Sequence, residues 1–213
     1  MTAAVETTRA PLLGEPLSVE LMNTVWADRG HLHDALGTDS EVLAWLRAVG
    51  PRLGAEAPDV APWLDGDRPA GLRAAAAELR RLRDALRRLA ADTTQDPRPA
   101  AASAITDRDA ALEILNRAAA AAPPWPALDW PIDGEPERTL HVAHPAGTGI
   151  ASLLAAEFID IASDRRPQLR ACLAPGCVLY FAKDHTRREW CSSGCGNRAR
   201  AARHYQRHKG AGA

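Results

Sequence analysis

The sequence shows little of what a membrane-spanning or secreted protein needs. No apolar run approaches the roughly 18 residues of a transmembrane helix, and residues 1–13 contain Glu6 but neither a basic start nor an apolar core. The 213 residues are 46 % hydrophobic and 25 % charged, with a mean hydropathy of -0.26, which excludes a disordered or fibrous chain. We therefore expect a soluble, cytoplasmic protein of one or two domains.

Sequence motifs for catalysis are scarce as well. The chain has no glycine-rich phosphate-binding loop and no nucleophile elbow. Four polar residues cluster near the N-terminus: Asp28, His31, His33 and Asp34. His31 and His33 have the spacing of a metal-binding pair, although a polar loop after the first helix explains the cluster equally well. We expect that the chain is not an enzyme.

Lysine is scarce, so arginine provides nearly all of the basic charge, and this charge is unevenly distributed along the chain. The sequence has 24 Arg and only 2 Lys, with a formal net charge of -1. Residues 163–213 contain eleven Lys or Arg against three acids, a net charge of +8, whereas the preceding 162 residues have a net charge of -9. A basic block of about fifty residues favours a polyanionic partner.

The acidic part of the chain has the periodicity of a mainly α-helical domain. A first helix capped by Ser18 continues its apolar face through Leu32 and Leu36. A second begins at Thr38 and ends at Gly50. Further helices are predicted over residues 70–91, 101 or 107–121, and 150–163, and residues 125–144 predict a small β-hairpin. The leucine stripe of residues 70–91 fits a buried bundle helix or a dimer seam.

All four cysteines lie in the basic block, with the spacing C-x4-C-x13-C-x3-C. A reducing cytosol keeps thiols free, and four thiolates match the tetrahedral coordination of zinc. A redox switch is the alternative, but the block has no C-x-x-C pair. The spacing therefore predicts one Zn²⁺ per chain, held by Cys172, Cys177, Cys191 and Cys195.

The segment around the cysteines predicts a small finger. Residues 178–182 are typical of a strand, residues 187–190 of a return strand, and the second cysteine pair opens a helix capped by Ser192 or Ser193. About forty residues cannot bury enough apolar surface alone, so the metal is expected to stabilise this unit. The fold class is thus a helical N-terminal domain with a small hairpin, followed by a treble-clef-like zinc finger.

The finger helix presents arginines on the side opposite the metal. At 100° per residue, Arg200, Arg203 and Arg207 lie on one face, and Cys191 and Cys195 lie on the other. A helix whose arginines only face solvent is the alternative, but no acid follows Glu189. Arg198 lies on the metal side of the helix. A hydrogen bond from it to a carbonyl or to a zinc-bound sulfur fits this position as well as a phosphate contact does. The predicted nucleic-acid contacts are Arg187, Arg188, Asn197, Arg198, Arg200, Arg203, His204 and Arg207.

A small-molecule pocket is a further expectation for the helical domain. Its predicted lining is Asn23, Trp26, Arg29 and Trp45. The alternative is that Asn23 and Arg29 only cap and pair within the bundle.

The motif Cys195-Gly196-Asn197-Arg198, preceded by Trp190-Cys191 and followed by a basic helix, resembles the CGNR zinc finger family. Residues 21–25, 34–46 and 115–116 resemble the ABATE domain, which precedes this finger in bacterial proteins described as stress-induced transcription regulators. The resemblance implies a helical regulatory domain over residues 12–163 and a finger over residues 167–210. It also places the four cysteines as zinc ligands. Glu189 departs from the pattern, because many members have two arginines before the Trp-Cys pair.

Together these features predict a zinc-dependent, DNA-binding transcription regulator. The helical domain is expected to sense a small-molecule effector or to form a homodimer, and the acidic domain is hypothesised to shield the basic helix until a signal separates them. A zinc-stabilised protein-interaction or RNA-binding module is the alternative, although few aromatic residues are available for base stacking.

Overall fold

The computed structural model describes residues 7–67, 69–98, 103–142, 146–163 and 169–210. Glu6 and the ends of two predicted segments, at residues 101–102 and 143–144, lie outside these ranges. About 54 % of the described residues are helical, and small β-hairpins accompany the helices, which confirms the predicted fold class. The helices are α1 (Leu17–Met22), α2 (Asp39–Glu56), α3 (Ala61–Asp65), α4 (Leu72–Thr94), α5 (Arg108–Ala121), α6 (Ala146–Ser163) and α7 (Ser193–Gly210). The antiparallel strand pairs are β1 (Val25–Asp28) with β2 (His31–Asp34), β3 (Trp125–Asp129) with β4 (Glu137–His141), and β5 (Leu169–Ala171) with β6 (Tyr180–Ala182).

Helix α4 is the central element, and its leucine stripe forms the middle of the core. Leu79, Leu82 and Leu86 are fully buried, and α1, α2, α5 and α6 all pack around this helix. Helix α6 approaches closely because Gly147 faces α4: a Cβ at Gly147 would lie 2.4 Å from the Cβ of Ala75. The glycines predicted to precede α6 are therefore part of it.

Helix α6 also meets the length and composition of a membrane span, with 61 % of its residues buried inside the protein. This burial is what a core helix of a soluble domain shows, since its apolar side chains already pack against α1, α4 and α5.

Helix α2 begins as predicted but ends later. The Thr38 hydroxyl accepts the N–H of Glu41 at 3.2 Å, and the Glu41 carboxylate accepts the N–H of Thr38 at 2.9 Å, which is a complete capping box. The helix then continues through Pro51 to Glu56, so the predicted end at Gly50 is wrong. Leu53 is fully buried beyond the proline, and this burial offsets the backbone bond that proline removes.

The first helix ends at Met22, whereas the sequence predicts an apolar face that extends to Leu32 and Leu36. Hairpin β1–β2 replaces that extension, with Arg29 and Gly30 in its two-residue turn at φ values of 48° and 83°. Two positive φ values define the turn that suits the twist of a hairpin. Arginine is an uncommon residue at the first of these positions, so sequence signals missed the turn.

The finger hairpin pairs strands different from the predicted ones. Strand β6 pairs with β5, which precedes the first cysteine, and residues 187–190 form no strand. The loop between β5 and β6 contains Cys172 and Cys177, and the N–H of Cys172 donates to the carbonyl of Leu179 at 2.9 Å. In the segment predicted as the return strand, the side chain of Arg188 donates hydrogen bonds to the carbonyls of Ala182 and Cys191.

This hairpin belongs to the main core of the protein. Leu169 and Tyr180 are fully buried in the same apolar cluster as α4 and α6. The side-chain amide of Asn23, just after α1, donates to the carbonyl of Tyr180 and accepts its N–H, both at 2.9 Å. The helical region and the finger therefore share one core across their sequence boundary.

Substitution Asn23→Ala tests this shared core. It leaves the buried N–H and carbonyl of Tyr180 without their partners, which we expect to lower the free energy of unfolding by about 3 kcal/mol. Urea denaturation of the zinc-loaded protein measures the change. The exposed Asn116→Ala on α5 is the matched control, expected to stay within about 0.5 kcal/mol of wild type. Equal stability of the two variants would contradict the role of Asn23.

Candidate metal centre and nucleic-acid interface

The four cysteines meet at one point in the folded chain. Cys172 and Cys177 come from the β5–β6 loop, Cys191 precedes α7, and Cys195 lies in the first turn of α7. All four thiols are buried, and their sulfur atoms lie within 4.8 Å of one another. The Sγ–Sγ distances are 3.8 Å for Cys177–Cys191 and 3.4 Å for Cys191–Cys195. Zn–S bonds of about 2.3 Å in a tetrahedron place sulfurs about 3.8 Å apart, so the cluster fits one Zn²⁺.

Local turns bring the sulfurs together. The N–H of Cys177 donates to the carbonyl of Ala174 at 2.9 Å, and Gly176 has a φ of 73° within this turn. The Ser192 hydroxyl accepts the N–H of Cys195 at 3.3 Å and so caps α7, as predicted. Cys191 precedes the helix, whereas the sequence analysis placed both cysteines of the second pair on it.

Hydrogen bonds among the thiols shift their pKa values in opposite directions. The bond to Cys177 is the main cause that lowers the pKa of Cys172 to about 7, and the bond to Cys172 lowers the pKa of Cys195 far below its usual range. The bonds to Cys172 raise the pKa of both Cys177 and Cys191. Thiols this close together hold their protons unequally, and a divalent cation can displace those protons.

The backbone of the cysteine loop is held from the segment after α4. Arg98 donates to the carbonyls of Cys172 and Cys177 at 2.7 and 2.6 Å. Asp96 pairs with this guanidinium at 2.6 Å and accepts the hydroxyl of Tyr180 at 3.0 Å. Sequence reasoning missed both residues, because an Asp-Pro-Arg segment between helices resembles an ordinary linker.

Arg188, a predicted nucleic-acid contact, points into the protein. Its guanidinium donates to the carbonyls of Ala182 and Cys191 at 3.1 and 3.2 Å and forms an ion pair with Glu15. Glu15 is itself buried and also accepts the N–H of Ala182 at 2.8 Å. Burial raises the pKa of Glu15, while the Ala182 and Arg188 bonds oppose that rise. Arg188 therefore joins the finger to the N-terminal segment, and Arg187 beside it is exposed.

Each residue of the Cys195–Arg198 motif has a local partner. A Cβ on Gly196 would lie 3.1 Å from Cδ1 of Trp190, so the indole packs against this position. The Asn197 side-chain oxygen accepts from Arg200 at 2.6 Å. Arg198 donates to the Sγ of Cys195 at 3.0 Å, which is the sulfur contact of the two alternatives that the sequence left open. Asn197 and Arg198, both predicted nucleic-acid contacts, are thus engaged with their own helix.

The second half of α7 is exposed and basic. Ala199 is buried, and the side chains from Arg200 to Arg207 are exposed or half-buried. Arg200, Arg203, His204 and Arg207 have the spacing i, i+3, i+4 and i+7, which places them on one helical face. The structure thus groups four of the six predicted contacts on this helix, all except Asn197 and Arg198.

The predicted ligand pocket is not brought together. Asn23 is bonded to Tyr180, and Trp45 is fully buried in the core. Trp26 stacks on His33 with ring centroids 4.3 Å apart and packs against the cysteine cluster. Arg29 projects from the turn into solvent. These four side chains occupy separate environments.

The polar cluster weighed for catalysis is also dispersed along its hairpin. Asp34 accepts two hydrogen bonds from the Arg83 guanidinium, at 2.5 and 3.0 Å, which tie β2 to α4. Asp28 and His31 face each other at the exposed end of the hairpin.

A four-cysteine zinc finger with a basic, exposed helix, mounted on a helical domain, is the class of protein that this fold and site define. Residues 15–165 match the ABATE family, described as "Putative stress-induced transcription regulator", and residues 168–208 match the CGNR zinc finger family. The chain belongs to the ABATE family, and the finger supports a zinc-binding, regulatory role. No curated protein matches the chain.

Metal analysis tests the centre directly. We expect one zinc per chain in the purified protein, and loss of most of this zinc in Cys172→Ser, because a serine hydroxyl is a poor ligand for zinc. Elemental analysis by mass spectrometry gives the ratio. Ser193→Ala, an exposed change beside the cluster, is the control and should retain one zinc. Full zinc content in Cys172→Ser would rule out this ligand set.

Proposed function

We propose that the chain regulates transcription by binding duplex DNA through the exposed face of α7. The observation that supports this most is the stripe formed by Arg200, Arg203 and Arg207. Within the part of the chain that the structure describes, none of these arginines forms an ion pair with a carboxylate. By contrast, Arg188 is paired with Glu15. Unneutralised arginines on one face are suited to phosphate oxygens and to base edges.

The dimensions of the exposed helix support the same function. Arg200 to Gly210 spans about 16 Å at 1.5 Å per residue, and a helix with its side chains is about 10–12 Å wide. The major groove of B-DNA is about 12 Å wide and admits such a helix. The cysteine cluster lies at the start of α7, so the metal would hold the helix start while the basic part enters the groove.

A binding role rather than a catalytic one follows from the metal ligands. Catalytic zinc keeps one position for water or substrate, whereas four cysteine ligands complete the tetrahedron. We therefore propose that the chain is not an enzyme. Cysteine ligands stay reduced in the cytoplasm, so we also propose a cytoplasmic location.

The combined variant Arg200→Ala, Arg203→Ala and Arg207→Ala tests the proposed interface. We expect the zinc-loaded wild type to bind duplex DNA with an affinity that falls steeply with salt. Because each phosphate contact contributes about -0.9 to the slope of log affinity against log salt concentration, the variant should have a slope shallower by about 2.7. Fluorescence anisotropy at several salt concentrations measures both slopes.

The control removes the same charge from exposed positions of the helical domain: Arg73→Ala, Arg117→Ala and Arg138→Ala. This control should bind as wild type does, and both variants should keep one zinc. Identical slopes for the α7 variant and wild type would refute the interface. Tighter binding of single-stranded RNA than of duplex DNA, with the same arginine dependence, would replace DNA with RNA as the partner.

A homodimer is the second candidate property, and an exposed apolar patch on hairpin β3–β4 favours it. Leu128, Trp130 and Ile132 are 65–100 % exposed. Exposed apolar side chains grouped in one short segment are typical of interaction surfaces. One α7 reaches one groove only, so two copies on adjacent half-sites would provide the affinity that one finger lacks.

Light scattering tests the dimer. The wild-type protein should have twice the 22.8 kDa mass of one chain, and Trp130→Glu with Ile132→Glu should have the mass of one chain. Leu32→Glu changes an exposed leucine on the other hairpin and should leave the dimer intact. A wild-type mass of one chain at every concentration would exclude self-association.

A further inference from the structure

A cleft lies between the β1–β2 hairpin and the cysteine loop. It encloses about 560 Å³, within the range of small-molecule sites. Ala27, Gly30 and Leu32 form the hairpin wall, and residues 173–178 of the cysteine loop form the opposite wall. Pro97 and Arg98 complete the lining.

The lining of this cleft is apolar. Leu32 and Leu173 line it from opposite walls, and each is 54 % exposed, although leucine gains most when it is removed from water. A bound molecule that removes these two side chains from water would therefore gain favourable hydrophobic binding free energy.

Arg98 is the charged residue of this lining, and its charge is already compensated. Its guanidinium pairs with Asp96 and donates to the carbonyls of Cys172 and Cys177. An anionic ligand would have to compete with these bonds, whereas an uncharged ligand would leave them intact.

We infer that the cleft is a binding site for a small, uncharged, apolar molecule, such as an aromatic or a branched aliphatic compound. This site is distinct from the pocket predicted from the sequence. Ala27 and Leu32 lie on the face of the hairpin opposite Trp26, and the cysteine loop forms the second wall in place of Trp45. The regulatory consequence rests on the proposed function, but binding itself does not.

The position of the cleft couples its occupant to the metal centre. Cys177 is part of both the lining and the zinc ligand set, and the loop that separates it from Cys172 forms one wall. A molecule that contacts both the hairpin and this loop binds more tightly when zinc holds the loop in place than when the loop is metal-free. By thermodynamic linkage, the same molecule must then stabilise bound zinc.

Fluorescence titration with N-phenyl-1-naphthylamine, an uncharged aromatic probe, tests the site on the full-length, zinc-loaded protein. We expect saturable binding of one probe per chain. Leu32→Glu should weaken binding by about tenfold or more, because it places a charge in the apolar cleft. Leu12→Glu, at a leucine that is 42 % exposed and outside the cleft, is the matched control and should bind as wild type does. Leu173→Glu repeats the test from the opposite wall, and zinc content verifies that each variant is folded.

Two further measurements separate the chemistry from the coupling. The sulfonated analogue of the probe, 8-anilinonaphthalene-1-sulfonate, should bind more weakly than the uncharged compound, and tighter binding would overturn the ligand class. Zinc transfer to a coloured chelator should be slowed severalfold by the uncharged probe in wild type but not in Leu32→Glu. Unchanged transfer would overturn the coupling, and equal probe affinity of wild type and Leu32→Glu would overturn the site. None of these assays contains DNA, so their failure is distinguishable from failure of the proposed function.

Discussion

Buried or half-buried polar side chains of the helical region hold the backbone of the first cysteine loop and of strand β6 beside it, and the position of the basic helix depends on them. Asn23 bonds both backbone groups of Tyr180, and Arg98 bonds the carbonyls of both loop cysteines. Arg87, fully buried on α4, donates to the carbonyls of Met22 and Val178 at 2.8 and 3.2 Å. Burial lowers the pKa of Arg87 to about 10, so the guanidinium stays charged at neutral pH. Leaving such buried groups unpaired costs about 1–3 kcal/mol each, which makes this attachment specific.

This attachment changes how the finger is understood. A finger of about forty residues has a small core and depends on its metal for stability. Here Leu169 and Tyr180 extend that core into the helical region, while the cysteines organise a smaller cluster around Phe181. The hypothesis that the acidic domain separates from the basic helix would require these buried bonds to break. The cysteine loop is the direct link between the two regions, because it is bonded to the helical region on one side and provides two of the four metal ligands on the other.

Much of the candidate site follows from sequence because its signals are local. The four cysteines, the Ser192 cap and the arginine stripe on α7 depend on spacing within short segments. The capping box at Thr38 is likewise contained in four residues. The return strand at residues 187–190 was wrong, because strand pairing depends on a partner at residues 169–171, on the far side of the cysteine loop.

The arginines show most clearly which features follow from the sequence and which depend on the tertiary structure. The amino-acid sequence by itself determined the metal ligands, the separation of charge into acidic and basic regions, and the helical periodicity, since these depend on residue type and local spacing. Only the tertiary structure decided that Arg87, Arg98 and Arg188 bond buried carbonyls while those on α7 face solvent. The side chains are chemically identical, and their roles differ because carbonyls and carboxylates distant in sequence surround some of them and not others.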